Sequence, residues 1–232
     1  MQNTRFYPTL NGECHLGHLL IALLNYHQAK NAGGVFIVRS ELRVSYLNQN
    51  VTMGQMDMWY DSFKKAFDRV GIEAEYMPLL HDGQWVDEKL KEHEALHRND
   101  TKNDLYPEGP AISAVPVHPY SPTWCLERVL LDNRYAVGRV IRGMDLISEN
   151  SLYIHFCKIL GLPVPKMCYS PMVSLKEGDK TAIISKTNGN GKVSGLVDKS
   201  KFQLLDLMQQ CLVDVSKGFT LQNVKSSAVV SI

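Results

Sequence analysis

The segment from Arg5 to His18, R-F-Y-P-T-L-N-G-E-C-H-L-G-H, places the strongest constraint on the fold of this chain. It reads as a short strand, a turn rich in Pro, Asn and Gly, and then two histidines that open a long apolar run. A helix beginning there would present unpaired backbone N–H groups and the positive end of its dipole, and both attract phosphate. His15 and His18 would lie one turn apart on one face, and Gly17 lets a flat ligand approach the backbone. The segment therefore predicts a nucleotide site.

The residues that follow predict an α/β fold. After the apolar helix come Gly33-Gly34 and the β-branched run Val35–Val38, an arrangement typical of a βαβ unit. The pattern predicts strands at 3–8, 35–40, 72–77, 138–142 and 167–174, and helices at 16–32, 51–70, 87–97, 123–135, 146–160 and about 204–215. A polar loop is predicted at 176–199, and the tail after about residue 217 carries weak signals. This alternation indicates a doubly wound parallel sheet with ligands at the carboxyl ends of its strands.

Composition limits the possible partners. The chain has 232 residues and a formal net charge of +1, which argues against an extensive nucleic-acid footprint but not against a small local one. No apolar run is long enough to span a membrane, so we expect no membrane partner. The five cysteines are scattered without a C-x-x-C pair; they are typical of reduced thiols in a cytoplasmic protein, and we expect no zinc.

At this point the motifs resemble a known family, the class I aminoacyl-tRNA synthetases of the glutamyl/glutaminyl group. Arg5 to His18 is similar, without a gap, to that group's R-F-A-P-S-P-T-G-x-L-H-x-G-H signature. Pro122-Thr-Trp124, Asp132, Val140-Ile-Arg-Gly143 and Ile159-Leu-Gly-Leu-Pro163 resemble later segments of the group. Ile183-Ile-Ser-Lys-Thr187 resembles the K-M-S-K-S loop, closest to its V-M-S-K-R form. The three main motifs occur in the family's order.

The resemblance implies a Rossmann-like class I catalytic core. Residues 1–77 would form its first half, 78–120 a short insertion in place of the acceptor-binding domain, and 121–232 the second half with the K-M-S-K-S-like loop and a last helix. We expect no anticodon-binding domain. Among known shapes, the chain is similar to a truncated glutamyl-tRNA synthetase or to glutamyl-queuosine tRNA(Asp) synthetase.

The activity that the resemblance implies is ATP-dependent formation of an acyl adenylate, with Mg²⁺ accompanying ATP. The transition state builds negative charge on the phosphates, so electrostatics and positioning do most of the catalysis. The resemblance assigns catalysis to His15, His18 and Lys186. The implied ATP-binding residues are Pro8, His15, Gly17, His18, Ile184, Ser185 and Lys186.

The amino-acid pocket is also implied residue by residue. Arg5 would bind the side-chain carboxylate of glutamate, Glu41 the α-ammonium, and Arg142 would be a second cation near the carboxylates. Trp124 stands where the group usually has a tyrosine, so stacking survives while a hydroxyl contact is lost. Two arginines favour glutamate over glutamine, because a guanidinium suits a carboxylate better than an amide. An alternative is that Arg5 and Glu41 simply pair with each other at adjacent strand ends.

Departures from the family pattern leave the acceptor open. Leu10-Asn11 replaces Pro-Thr in the signature turn, Ile183 replaces the first lysine of the loop, and residues 78–120 are much shorter than the usual acceptor-binding domain. One hypothesis is transfer of glutamate, or a close analogue, to tRNA or a modified tRNA nucleotide. A second is the same adenylation with another acceptor, such as a carrier protein, small molecule or modified base. A third is a degenerate synthetase fold that only binds a partner.

A hypothesis from another class of enzyme comes from His93-Glu94-Ala-Leu-His97. This run fits H-E-x-x-H, in which two histidines on one helical face bind zinc and the glutamate acts as base. Its flanks are charged, whereas a buried metalloprotease helix is mostly apolar. The pattern therefore favours a solvated surface helix over a zinc site.

Overall fold

The computed structural model describes residues 2–10, 12–40, 52–79, 82–93, 122–177, 180–183, 201–226 and 228–231. The strands are β1 (Thr4–Phe6), β2 (Phe36–Val38), β3 (Glu75–Tyr76), β4 (Arg139–Gly143), β5 (Lys166–Ser170), β6 (Val173–Glu177), β7 (Lys180–Ile183) and β8 (Ala228–Ser231). The α-helices are α1 (Leu16–Asn31), α2 (Met53–Val70), α3 (Gly83–Glu92), α4 (Pro122–Arg134), α5 (Asn150–Ile159) and α6 (Lys201–Gln209). Shorter 3₁₀ turns cover Met144–Glu149, Val215–Lys217 and Leu221–Asn223.

The first five strands follow the order β3-β2-β1-β4-β5. β1, β2 and β3 form one parallel ladder and β4 and β5 another. The two ladders meet at a parallel bridge between Asn3 and Val137, where the N–H of Gly138 donates to the Asn3 carbonyl at 3.2 Å. This confirms the predicted doubly wound sheet and puts its switch point, where such folds bind ligands, between β1 and β4.

α1 is buried because it packs against β1, β2 and β4 on one side and α2 on the other. Polar groups inside this layer fix the helix to the sheet. The Asn25 side-chain amide donates to the carbonyls of Ile21 (2.9 Å) and Ile141 (3.0 Å), and the Thr4 hydroxyl donates to the Asn25 carbonyl at 2.8 Å. Since buried amides and hydroxyls are costly unless hydrogen-bonded, these contacts hold α1 in one position beneath β1 and β4.

Side chains alternate across β1 between two cores. Phe6 belongs to the core formed with α1 and α2, whereas Tyr7 belongs to a second core under α3, α4 and α5. Arg5 lies on the same face as Tyr7, because its side chain contacts α4. The carboxyl half of β1 therefore presents charged and aromatic groups to α4 and α5.

The C-terminal part differs from the sequence prediction. Strands β6 and β7 pair antiparallel where the predicted polar loop begins, and β8 in the predicted weak tail pairs in parallel with β6. α6 ends at Gln209, although Cys211 and Leu212 beyond it remain buried in the first core. These pairings join segments far apart in the chain, so the local pattern did not show them.

Gly34 provides a direct test of the packing between β1 and the turn after α1. A Cβ built on Gly34 would lie 2.2 Å from the backbone oxygen of Gln2, so we expect Gly34→Ala to lower the free energy of unfolding by about 1–3 kcal/mol. A Cβ built on Gly54, in the first turn of α2, would meet nothing within 4 Å, and Gly54→Ala should raise stability by about 0.5 kcal/mol. Urea denaturation of both variants measures the two shifts; equal effects would contradict the close approach.

Candidate nucleotide and amino-acid site

His15 and His18 cap the first turn of α1 reciprocally. His15 is the N-cap residue, and its Nδ1 accepts from the backbone N–H of His18 at 3.3 Å. The Nδ1 of His18 in turn accepts from the backbone N–H of His15 at 3.2 Å. This is a capping box in which histidines take the places usually held by Ser or Thr and Glu or Gln.

The capping box fixes the tautomer of both rings. Because each Nδ1 accepts a hydrogen bond, a neutral imidazole carries its proton on Nε2. The two rings stack with centroids 3.5 Å apart, and the His18 ring lies 5.0 Å from Phe63. Helix α1 thus begins with two parallel imidazoles, each held in the form whose Nε2–H is a donor.

The residues around these rings fit a bound phosphate chain. A Cβ at Gly17 would lie 3.1 Å from Cε1 of His15, so only glycine leaves this surface open without displacing the ring. Pro8 is buried just beyond β1, in the segment that leads into the turn before α1. The positive end of the α1 dipole and the two imidazoles favour an anion at this point.

Arg5 forms a buried, bidentate ion pair with Asp132 of α4. Its Nε and Nη2 lie 3.1 and 3.2 Å from the two carboxylate oxygens, and the Tyr153 hydroxyl donates to the same carboxylate at 2.7 Å. All three side chains are at most 4% exposed. Burial lowers the pKa of Arg5, but the charge and hydrogen bonds of Asp132, together with Tyr7 and Tyr153, outweigh burial and leave the pKa above its ordinary value. Asp132 therefore holds the Arg5 guanidinium in one orientation.

A second ion-pair group lies at the carboxyl end of β4. Oε2 of Glu149 accepts from Nη1 of Arg142 at 2.9 Å and from Nη1 of Arg128 at 3.4 Å, and Nη2 of Arg142 donates to Asn150 at 3.0 Å. Burial raises the pKa of Glu149, against the opposing effect of both arginines. Arg142 Nε, Glu149 Oε1 and Tyr169 Oη are buried here and have no hydrogen-bond partner within the described residues.

Tyr7 lies between two arginines at the end of β1. The Arg5 guanidinium is 4.6 Å from the centre of its ring and that of Arg39 is 5.6 Å away. Burial, and next the charge of Asp132, raise the pKa of Tyr7 well above its ordinary value, so the hydroxyl stays neutral. The side chain is 7% exposed. Tyr7 therefore acts as an aromatic spacer between the β1 and β2 ends.

A third buried ion pair connects β2 to the start of α3. Nη1 of Arg39 donates to Asp82 at 2.8 Å, and Asp82 also accepts from the Tyr135 hydroxyl and from Arg134 at 3.2 Å. The guanidinium of Arg134 covers Trp85 of α3 at 4.3 Å. Burial and the hydrogen bond to Asp82 raise the pKa of Tyr135 to about 12. Helix α3 is thereby fixed to the sheet beside the residues that follow β2.

Several predicted residues fall outside the described part of the chain. Glu41, Ile184, Ser185 and Lys186 do so, and Trp124 is described only as a backbone position in α4. Helix α3 begins earlier than predicted and ends at Glu92, with His93 as its C-cap; the rest of the H-E-x-x-H run is not described. Across the described ranges, no group of three or more His, Cys, Asp or Glu side chains is arranged to hold a metal ion. In the same part of the chain, no helix combines the length and apolar character needed to cross a membrane.

Sequence reasoning missed Arg128 and Glu149, and it noted Asp132 only as part of the resemblance. One signal was available for Arg128, which follows Trp124 by four residues, so the two positions share a face of α4. No local pattern pointed to Glu149, because its partners lie on other elements. The structure brings Arg5, Arg128 and Arg142 together; it leaves the distances from this group to Glu41 and Lys186 undescribed.

Comparison with known proteins supports the resemblance. A family model described as "tRNA synthetases class I (E and Q), catalytic domain" matches residues 2–42. Glutamate–tRNA ligase 2 of Neorickettsia sennetsu is 25% identical over 224 residues, covering 87% of this chain and 54% of the relative. Glutamyl-Q tRNA(Asp) synthetase of Vibrio parahaemolyticus is 24% identical over 230 residues, covering 79% of this chain and 76% of the relative.

Structural comparison supports the fold. A crystal structure of glutamate–tRNA synthetase from Elizabethkingia anophelis aligns with a TM-score of 0.60 at 14% identity, covering all of this chain and 68% of that one. The chain spans about half the length of the first relative named above. The resemblance to the catalytic core of the glutamyl/glutaminyl class I synthetases and the Rossmann-like α/β fold are therefore confirmed.

Proposed function

We propose that this chain, which resembles the catalytic core of the glutamyl/glutaminyl class I synthetases, is a ligase that activates an amino acid with ATP. The substrate is glutamate or a close analogue, and the activated acyl group passes to a tRNA or a modified tRNA nucleotide. The observation that carries this proposal is the histidine capping box at the start of α1, a helix that packs against β1 and β4, the strands that carry the buried ion pairs of Arg5 and Arg142.

His15 and His18 act on the phosphates of ATP. Their Nε2–H groups and the first backbone N–H groups of α1 donate to the phosphate oxygens, and the donors are oriented before the nucleotide binds. Gly17 leaves room for the chain of phosphates, and Pro8 shapes the approach from β1. Mg²⁺, when bound with ATP, neutralises phosphate charge and needs few protein ligands.

The loop after β7 completes the phosphate site in this proposal. Lys186 stabilises the departing pyrophosphate, while Ser185 and the backbone at Ile184 supply hydrogen bonds to ATP. The support is the similarity of the run to the K-M-S-K-S loop and its place directly after β7, which ends at Ile183.

The arginines and Glu41 orient the amino acid. Asp132 engages Nε and Nη2 of Arg5, so Nη1 is the nitrogen of this guanidinium that faces a substrate carboxylate. Arg142, held by Glu149 and Asn150, adds a second cation, and Trp124 stacks beside the substrate. Glu41 receives the α-ammonium group, which aims the α-carboxylate at the α-phosphate of ATP.

Exchange between ATP and labelled pyrophosphate tests the activation step. We expect glutamate-dependent exchange by the purified protein without tRNA, and loss of most of that exchange in Lys186→Ala, because the leaving group then lacks its cation. Lys217, an exposed lysine of the C-terminal part, gives a matched control, and Lys217→Ala should exchange at the rate of the unmodified protein. Failure of all twenty amino acids to support exchange would overturn the proposal.

Acylation assays then identify the acceptor. Incubation with total tRNA should yield an acid-precipitable glutamyl ester, and nuclease digestion of the product followed by identification of the glutamylated nucleoside distinguishes a 3′-terminal acceptor from a modified nucleotide. Exchange without any acylated tRNA would instead favour an acceptor other than tRNA. The match to glutamyl-Q tRNA(Asp) synthetase over 76% of that relative's length supports including modified tRNA in this assay.

A further inference from the structure

Tyr7 is the first residue after β1, at the carboxyl end of that strand. Because side chains alternate along a strand, Tyr7 lies on the same face as Arg5, the face that packs against α4 and α5. The R-F-A-P signature that this segment resembles has alanine at the same position. This chain therefore places an aromatic ring where that signature has a single methyl group.

The Tyr7 ring packs on the guanidinium group of Arg5. The carbon Cζ of Arg5 is 4.6 Å from the centre of the ring, and Tyr7 and Arg5 are 7% and 3% exposed. Nε and Nη2 of Arg5 bind Asp132, so Nη1 is the nitrogen of this guanidinium that lies outside the ion pair. A carboxylate that binds Nη1 therefore reaches Arg5 at the edge of the Tyr7 ring.

A second cation helps to fix the ring. The guanidinium carbon of Arg39 is 5.6 Å from the centre of the same ring, and Nη1 of Arg39 donates to Asp82 at 2.8 Å. Each of the two arginines is thus held by its own buried carboxylate. Burial raises the pKa of Tyr7 well above its ordinary value and keeps its hydroxyl neutral. Because moving the ring means separating it from two fixed guanidinium groups, Tyr7 forms a rigid wall.

We propose that Tyr7 is a specificity-determining residue that limits the length of the acidic side chain which the site accepts. The inference rests on the proposed function, in which Arg5 binds the side-chain carboxylate of the substrate and Glu41 its α-ammonium group. Since both ends of the amino acid are held, an extra methylene group pushes the side-chain carboxylate past Nη1 of Arg5 and against the ring. The site accordingly accepts glutamate and rejects 2-aminoadipate, which is longer by one methylene group.

The size of the effect follows from how packing discriminates between substrates. Sites distinguish amino acids that differ by one methylene group by about 10- to 200-fold, and forcing an extra group against a well-packed side chain is unfavourable. Replacing Tyr7 by alanine removes the whole ring and leaves space beside Arg5 for the longer side chain. The variant should therefore gain a substrate, which a loss of stability alone cannot produce.

The experiment compares glutamate with 2-aminoadipate in the full chain. Calorimetric titration gives Kd for each amino acid, and pyrophosphate exchange gives kcat and KM. The unmodified protein should prefer glutamate by about 10- to 200-fold, and Tyr7→Ala should lower this preference at least about tenfold by reducing Kd and KM for 2-aminoadipate. Tyr7→Phe, which keeps the ring, should retain the preference. Tyr26→Ala, which removes a half-buried tyrosine beside Lys30 on α1, should also leave it unchanged.

The possible results separate the inference from the proposed function. Equal binding of both amino acids by the unmodified protein overturns the inference and requires no variant to fold. So does a Tyr7→Ala variant that binds 2-aminoadipate no more tightly than the unmodified protein; if that variant does not fold, Tyr7→Leu, which keeps an apolar side chain in the second core, takes its place. Selective glutamate binding that is lost in the variant, without any exchange, overturns the proposed function and supports the inference. Exchange with both amino acids at equal efficiency does the reverse, and binding of neither overturns both.

Discussion

Asp132→Asn is expected to lower the free energy of unfolding by about 3–5 kcal/mol, because it leaves Arg5 charged and buried without a counterion. Asp132 also accepts the hydroxyl of Tyr153, and both residues are 1% exposed. Since domains of this kind are stable by only about 5–15 kcal/mol, the loss removes a large share of the total. Urea denaturation followed by far-ultraviolet circular dichroism measures it.

Two further variants show whether the charge or the contact causes this loss. Asp61→Asn removes an exposed ion pair with Lys64 and should change stability by less than about 1 kcal/mol. The double variant Arg5→Met, Asp132→Leu removes both buried charges and should be more stable than Asp132→Asn, because no uncompensated ion remains. A double variant as unstable as the single one would mean that packing around α4, rather than the uncompensated charge, dominates.

Local signals were sufficient to place the helices that begin and end the first half of the fold. α1 was predicted at 16–32 and spans Leu16–Asn31, because the histidine start and the glycines after it are both local. α2 begins with a Thr52–Gln55 capping box and ends at Val70, and its C-cap Gly71 has a φ of 79°, which suits glycine. In both helices, the residues that cap each end lie within a few positions of that end, so the local sequence is enough to locate it.

Non-local pairing explains what the sequence did not predict. β8 pairs with β6, and the two are far apart in the chain, so neither segment carries a signal for the other. Arg5 and Asp132 are separated by 127 positions, and resemblance alone gave Arg5 a substrate rather than a protein partner. The roles of Glu41, Trp124 and Lys186 remain predictions. The structure describes the strands that surround these positions.

His15→Asn should lower the rate of pyrophosphate exchange by about 10²- to 10³-fold while leaving the fold nearly as stable as before. Asparagine is among the best N-cap residues, so its side-chain oxygen replaces Nδ1 in accepting from the backbone N–H of His18. It cannot replace the Nε2–H of the stacked ring, which in our proposal donates to the phosphates. His15→Ala loses both the cap acceptor and the Nε2–H donor. It should lower the rate as much as His15→Asn does, and it should also lower the free energy of unfolding by about 1 kcal/mol.

The capping box of α2 separates these two effects further. Thr52 makes the same pair of contacts at the start of α2 that His15 makes at the start of α1, with Gln55 in the place of His18. Thr52→Ala should therefore lose about 1 kcal/mol of stability and keep its rate of exchange below the melting transition. If His15→Asn exchanged at the rate of the unmodified protein, the histidines would serve α1 only as caps, and the phosphate site would have to depend on the backbone N–H groups and the loop after β7.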